Sequence, residues 1–451
     1  MKTVIITLLI SLCQLSVFGQ RMSAEQAIED LELLRENIQK YNPALYQYNA
    51  NFDSLSKEVI NSLQEDSTSI FNYFALVSET CALSNEGHFN LGNWQDTIHQ
   101  GIAENKFAYL PVSFRIISNH LYVWSDYSGE QSLQKGDEII SINGKSSKEI
   151  IKILQKVTPS DGDILTYANK NIEVGFAWLY YFYIEQSDTF QFGYLRQNGS
   201  LQTVTIQALV KSEQISNFKK YVAHESSRQA TELNAFYDLQ FNGKYGVLSL
   251  PTFDYRKANE YKVKSKKMYR SIFKKLASKD SDHLIIDLRD NTGGRNEFAD
   301  DLVPFILEPA NADAFLKKTI SWEGREKTYK MPKASKFAFK GVIYVLVNGK
   351  TYSAGSTLAR YLKEYADAII IGEETGSRYE GYSAGSKELI VLPNSKLEIG
   401  IPRYHIVYPE SSKQNTQNRG VLPDYEITYT LQDIEKYKDL HFEKALSLIN
   451  E

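Results

Sequence analysis

The stretch 341–366, GVIYVLVNGKTYSAGSTLARYLKEYA, passes from an apolar run through a polar turn into a helical pattern. Its first segment, 341–347, is continuously apolar rather than alternating, as expected of a strand buried on both faces. Asn348, Gly349 and Lys350 form a turn by composition. Ala354, Leu358, Tyr361 and Leu362 then fall on one side of a helix. Ser353 stands at the start of that helix, where free N–H groups and the helix dipole favour negative charge. A nucleophilic serine needs such a sharp, exposed position, together with a base and donors for a developing oxyanion. Read locally, Ser353 fits the plain role of helix N-cap equally well.

The pentapeptide YSAGS recurs at 382–386, where Gly381 completes a G-x-S-x-G pattern. That pattern carries weight only on a strand–turn–helix. Ser383 instead follows a polar loop and leads into the strand-like KELIVLPN, so we read it as a decoy. A second apolar run, HLIIDLRDNTGGR at 283–295, ends in Gly293 and Gly294. Their amides, with that of Ala354, can form an oxyanion site if the two strand ends are neighbours; otherwise the glycines merely reverse the chain.

From about residue 238 onward, apolar strand runs alternate with helical patterns, which predicts an α/β core. The charge run along 258–279 reads as a solvated helix face. Upstream, SAEQAIEDLELLRENIQKY opens with a capping box at Ser23 and Gln26, and Ala27, Leu31, Leu34 and Ile38 keep helical spacing. Helical patterns at 52–63 and 69–83 complete an N-terminal unit that ends in the loop SNEGHFNLGNW. Short strands follow from about residue 110, with a hairpin at Ser118-Asn119 and turns at 135–137 and 143–144. The aromatic stretch VGFAWLYYFYIEQ, at 174–186, suits a packed core better than a ligand pocket.

The 451 residues are 42% hydrophobic and 24% charged, ordinary for a globular chain of about three domains. A formal net charge of −4 gives no electrostatic case for nucleic acid or an anionic membrane. After Lys2 an uncharged run lasts to Arg21 and ends in small-residue spacing, so we expect a signal peptide over 1–19. Gln14, Ser11 and Ser16 weaken the alternative of a membrane anchor. Cys13 leaves with that leader and Cys81 remains alone, so no internal disulfide is expected. The seven histidines form no metal-ligand spacing, and neither metal nor cofactor is expected.

In order, LQKGDEIISINGKSSKEI, HLIIDLRDNTGGR, VNGKTYSAGSTLARYLKE, AIIIGEETGS, LIVLPNS and NRGVLPDYEI resemble the serine peptidases of the C-terminal processing (tail-specific) and tricorn group. The resemblance spans roughly 110–427, and EGHFNLG after a helical N-terminus is similar to secreted bacterial members. It implies a crotonase-like α/β core of stacked ββα units, an N-terminal helical bundle and a PDZ-like β-rich domain. The divisions expected are 20–105 for the helical domain, 106–212 for the PDZ-like domain, 213–237 for a linker and 238–451 for the core. The resemblance further implies Ser353 as nucleophile, His88 as general base and Gly293, Gly294 and Ala354 at the oxyanion hole.

Two departures stand out. Processing-type members use a lysine base after the GE strand, where this sequence has Arg378. An arginine stays protonated and cannot accept the proton. Tricorn-type members orient the histidine with a glutamate, where this sequence offers Gln417, with Glu380 as a second candidate. The expectation is an exported, periplasmic or extracellular serine endopeptidase acting on polypeptides. The alternative is an impaired pseudo-peptidase that binds peptides or apolar ligands.

Overall fold

A computed structural model describes residues 21–92, 107–222, 236–243, 245–307, 315–411, 413–436 and 438–451. The leader expected over 1–19 lies outside the described residues. The fold is mixed α/β with several sheets.

Its first long helices are α1 (Ala24–Tyr41), α2 (Phe52–Asn61) and α3 (Ile70–Ala82), with a single helical turn at Leu45–Tyr48 between α1 and α2. The capping box at Ser23 and Gln26 is formed, and the apolar stripe Ala27, Leu31, Leu34 and Ile38 is buried. A loop then carries His88 to the short strand β1 (Asn90–Gly92). The middle of the chain builds an antiparallel sheet from β2 (Val112–Ile117), β3 (His120–Asp126), β4 (Glu138–Ile142), β5 (Thr189–Leu195) and β6 (Leu201–Gln207), in spatial order 6-5-4-3-2. The β2–β3 hairpin turns at Ser118 and Asn119, both at positive φ, the geometry that matches the strands' twist.

Between β4 and β5 lie α4 (Ser147–Lys156) and α5 (Leu165–Tyr183). The aromatic stretch is thus helix, and α5 is buried on two sides. Ile172, Phe176 and Tyr180 join the core of the middle sheet, while Tyr181 and Phe182 join that of the N-terminal helices. Burial on two sides explains its apolar density. The segment expected as linker begins inside the helix Lys211–Asn217, and most of the remainder lies outside the described residues.

The C-terminal half holds the second large sheet: β7 (Asp238–Asn242), β8 (Tyr245–Ser249), β9 (His283–Asp287), β12 (Val342–Val347), β13 (Ile369–Gly372) and β16 (Tyr425–Glu426), in that spatial order. All neighbours beyond the β7–β8 hairpin are parallel. Helix α6 (Ser265–Ser278) links β8 to β9, and α7 (Ala354–Ala366) links β12 to β13. A further antiparallel sheet, in order 11-10-15-14, contains β10 (Phe315–Ser321), β11 (Glu326–Lys330), β14 (Gly381–Val391) and β15 (Glu398–Val407). The chain closes with helix α8 (Leu440–Asn450).

Two register facts position the site. Strands β9 and β12 are parallel neighbours with Asp287 beside Leu346, so the glycine turn and Ser353 emerge from adjacent strand ends. Strand β1 pairs with β15 through Asn90 and Gly400, which brings the His88 loop onto the C-terminal half. Buried Asp30 of α1 anchors the same union. It accepts from the backbone N–H groups of Asn394 at 2.9 Å and Ser395 at 2.8 Å, and from the Tyr73 hydroxyl at 2.8 Å. Asp30→Ala strands those donors in the interior. We expect it to lower unfolding free energy by about 3 kcal/mol, read from urea denaturation.

Candidate active site

Strand β12 delivers the chain into a turn braced by Thr351, whose Oγ1 donates to the Leu288 carbonyl at 2.8 Å. Ser353 follows with φ 53° and ψ −125°. A left-handed serine is strained by about 1–3 kcal/mol, an expense tolerated where backbone geometry serves a site. Its backbone N–H donates to Ser377 Oγ at 2.8 Å, and its side chain caps nothing. The hydroxyl instead meets His88 Nε2 at 3.1 Å, across 265 positions of sequence. Ser383 is placed differently. It is buried within β14, with its N–H on Glu86 Oε2 at 3.0 Å and its hydroxyl on Asn42 Oδ1 at 3.0 Å.

The His88 ring lies between Tyr352 and Tyr382, at centroid separations of 4.6 and 5.1 Å, and Tyr167 stacks on Tyr352 from outside at 4.1 Å. His88 Nδ1 shares a 2.7 Å hydrogen bond with the Tyr352 hydroxyl. Sequence reasoning missed this partner. Neither residue expected at the third position reaches the imidazole: Gln417 is exposed, and Glu380 accepts from the Asn418 N–H at 2.8 Å. Gly87 lets the loop pass, since a Cβ there would lie 2.6 Å from the Tyr352 hydroxyl oxygen. Desolvation among the rings, aided by the charge of Lys387, lowers the His88 pKa to about 3.

Arg378 heads the large, fully buried side chains among the described residues. Its guanidinium stands 3.5 Å from the Tyr48 ring centroid and 3.8 Å from Glu86 Oε1, and it donates to the Asn85 carbonyl. Its backbone N–H donates to Asp161 Oδ2 at 3.3 Å, and Asp161 Oδ1 accepts from the Gly87 N–H at 2.6 Å. The cation therefore sits under residues 85–87, immediately before His88. Burial raises the pKa of both carboxyls, Glu86 to about 8, while Arg378 pulls each back down.

The glycine turn touches Ser353. A Cβ on Gly293 would lie 2.7 Å from Ser353 Cβ and 2.8 Å from the Ala354 nitrogen, so only glycine permits the approach. Of the three residues expected at the oxyanion site, Gly293 is set apart because its N–H already donates to Asn291 Oδ1 at 2.9 Å. Asn291 braces the turn further, donating to the Leu250 carbonyl at 2.7 Å and accepting from the Tyr352 N–H at 2.9 Å. The amides of Gly294 and Ala354 carry no hydrogen bond among the described residues.

Residues 244–427 match the family model described as Peptidase family S41. That part of the chain, about two-fifths of its length, is similar to the S41 peptidases. The matched residues include the glycine turn, Ser353 and Arg378, whereas His88 lies outside them. Among solved structures, mature CPAF aligns over 92% of this chain and 95% of its own, at 15% identity and a TM-score of 0.62. Mature CPAF complexed with lactacystin aligns over 94% and 97%, at 16% identity and a TM-score of 0.63. A CPAF mutant aligns over 95% and 98%, at 13% identity and a TM-score of 0.66. These likenesses show a shared fold along nearly the whole chain. A search of the curated proteins found no match.

The lowered His88 pKa sets a sign for acid stability. Between about 6.5 in the unfolded chain and about 3 in the fold, only the unfolded state gains this proton. The contribution of His88 to stability is thus complete above pH 6.5 and declines as pH falls toward 3. The expected NMR titration keeps the His88 ring neutral at about pH 5, where an exposed histidine is already protonated. Protonation near pH 6.5 contradicts the enclosure described here.

Proposed function

We propose that this chain is an exported serine endopeptidase acting on polypeptide substrates, with Ser353 as nucleophile and His88 as general base. The observation that carries the reading is the 3.1 Å contact between His88 Nε2 and Ser353 Oγ. It lies within reach for proton transfer. Ser353 attacks the scissile carbonyl as its proton passes to His88 Nε2, which then returns it to the leaving amine. The Gly294 and Ala354 amides hold the tetrahedral oxyanion, and Gly293 holds the turn close. Tyr352 takes the third position, accepting from Nδ1–H so that Nε2 stays free as the base. A phenol also donates, so it holds this tautomer less firmly than a carboxylate does.

In this reading residues 20–105 form a helical domain that supplies His88, and 106–212 a PDZ-like domain that presents or gates substrate. Residues 213–237 connect it to a crotonase-like core at 238–451. The leader at 1–19 directs the chain to the periplasm or the cell exterior. No described helix is long and apolar enough to cross a membrane.

A second reading is favoured by the missing carboxylate at His88: a pseudo-peptidase that retains the cleft for binding peptides or apolar ligands. A serine-reactive fluorophosphonate separates the two. The enzyme reading expects labelling at Ser353, lost in Ser353→Ala and strongly slowed in His88→Ala. Peptide cleavage should fall by about 10³-fold or more in either variant. Folded parent protein that neither labels nor cleaves sinks the reading. Tyr352→Phe keeps the stacked ring and removes one neutral hydrogen bond, so about a tenfold loss in kcat is expected with KM little changed. An unchanged kcat removes Tyr352 from the mechanism.

A further inference from the structure

We propose that a cationic groove beside the glycine turn binds an acidic segment of the polypeptide substrate, away from the bond that is cut. The inference rests on the peptidase reading and adds a substrate class to it.

Residues 256–279 hold ten Lys or Arg against a single Glu, in a chain whose formal net charge is −4. The structure folds this charge into a concave surface. A cavity of 560 Å³ and a neighbour of 310 Å³ share Lys266 and Asp301 in their walls. Lys262, Lys264, Lys266, Lys267, Arg270 and Lys336 line them and are exposed. Among the described residues, the only ion pair these six form is Lys266 to Asp301 at 4.0 Å. The acidic residues in the walls are already engaged. Asp301 accepts from Ser265 Oγ at 2.6 Å, and Glu297 pairs with Arg295 at 3.1 Å.

A solvated helix face is ordinarily laced with opposite charges at i,i+4 spacing. Along α6 the exposed stripe runs Lys266, Arg270 and Lys274, with like charge at each step. The helix endures that repulsion without compensation from its own sequence, and an anionic chain lying in the groove relieves it.

Position selects the partner. Arg295 lines the near end of the groove and lies two residues beyond Gly293, which packs against Ser353. That separation is at most about 7 Å of chain. A polypeptide held at Ser353 therefore reaches the groove within a few residues. The site is also a recess, which an extended chain enters more readily than a flat lipid surface does.

Two labelled peptides test this, identical except that one carries an Asp/Glu tract where the other has Asn/Gln. Their binding to the full Ser353→Ala chain is read by fluorescence anisotropy. We expect about tenfold tighter binding of the acidic peptide at about 0.05 M salt, and its collapse at about 0.5 M. The preference should also vanish when Lys264→Glu, Lys267→Glu and Arg270→Glu are combined. Equal affinity for both peptides overturns the proposal, as does a preference that survives the triple variant. So does binding to anionic vesicles without any preference between the peptides. A clear preference in a parent protein that cleaves neither peptide upholds the groove and counts against the peptidase reading instead.

Discussion

A guanidinium with no contact with solvent lies beneath the loop that carries the imidazole. Arg378 faces Glu86, bonds the Asn85 carbonyl and, through Asp161, fixes the Gly87 N–H. Burying such a charge costs several kcal/mol, and attraction to buried carboxylates offsets it only while the partners stay in place. The same force that keeps the cation tolerable therefore holds residues 85–87 in one position. His88 comes next in the chain, so its reach to Ser353 depends on this ionic support as much as on its own stacking.

Local features of the site were legible in the sequence because they are set by short-range rules. The strand, turn and helix around Ser353 follow from periodicity. The glycine turn follows from residues whose amides lack side-chain cover. The distinction between the two YSAGS copies follows from what comes after each, and Ser383 is indeed held inside a strand. The meeting of β9 and β12 ends was stated only as a condition, since strand order is a tertiary property. The helical character of 174–183 escaped notice because a helix buried on two sides loses its amphipathic signature.

Tyr352 was invisible for a different reason. It sits one position before Ser353, where sequence alone predicts only a turn residue. The unusual backbone at Ser353 re-aims the chain there, and Tyr352 faces an imidazole from 264 positions away. Gln417 and Glu380 were chosen by their distance from motifs, which says nothing of side-chain direction. Arg378 was read as a lost lysine base, and only its burial shows that it has other work.

The neutral character of Tyr352 follows from the charges already packed around it. Glu86 and Asp161 are two carboxyls beside a single buried guanidinium, and desolvation raises the pKa of both. A carboxylic acid in place of the Tyr352 hydroxyl adds a third carboxyl to a cluster whose single cation does not keep its first two fully ionised. Such a group would be driven to take up a proton, and so would lose the charge that makes a carboxylate useful beside imidazolium. A phenol orients the ring without adding charge. The cost falls on His88, whose pKa burial and the Lys387 charge hold low and whose imidazolium has no hydrogen-bonded anion at Nδ1 to offset them. In the proposed mechanism, proton transfer from Ser353 is then uphill by more than at a site with a charged third member, so the same cluster that builds the site would also limit its speed.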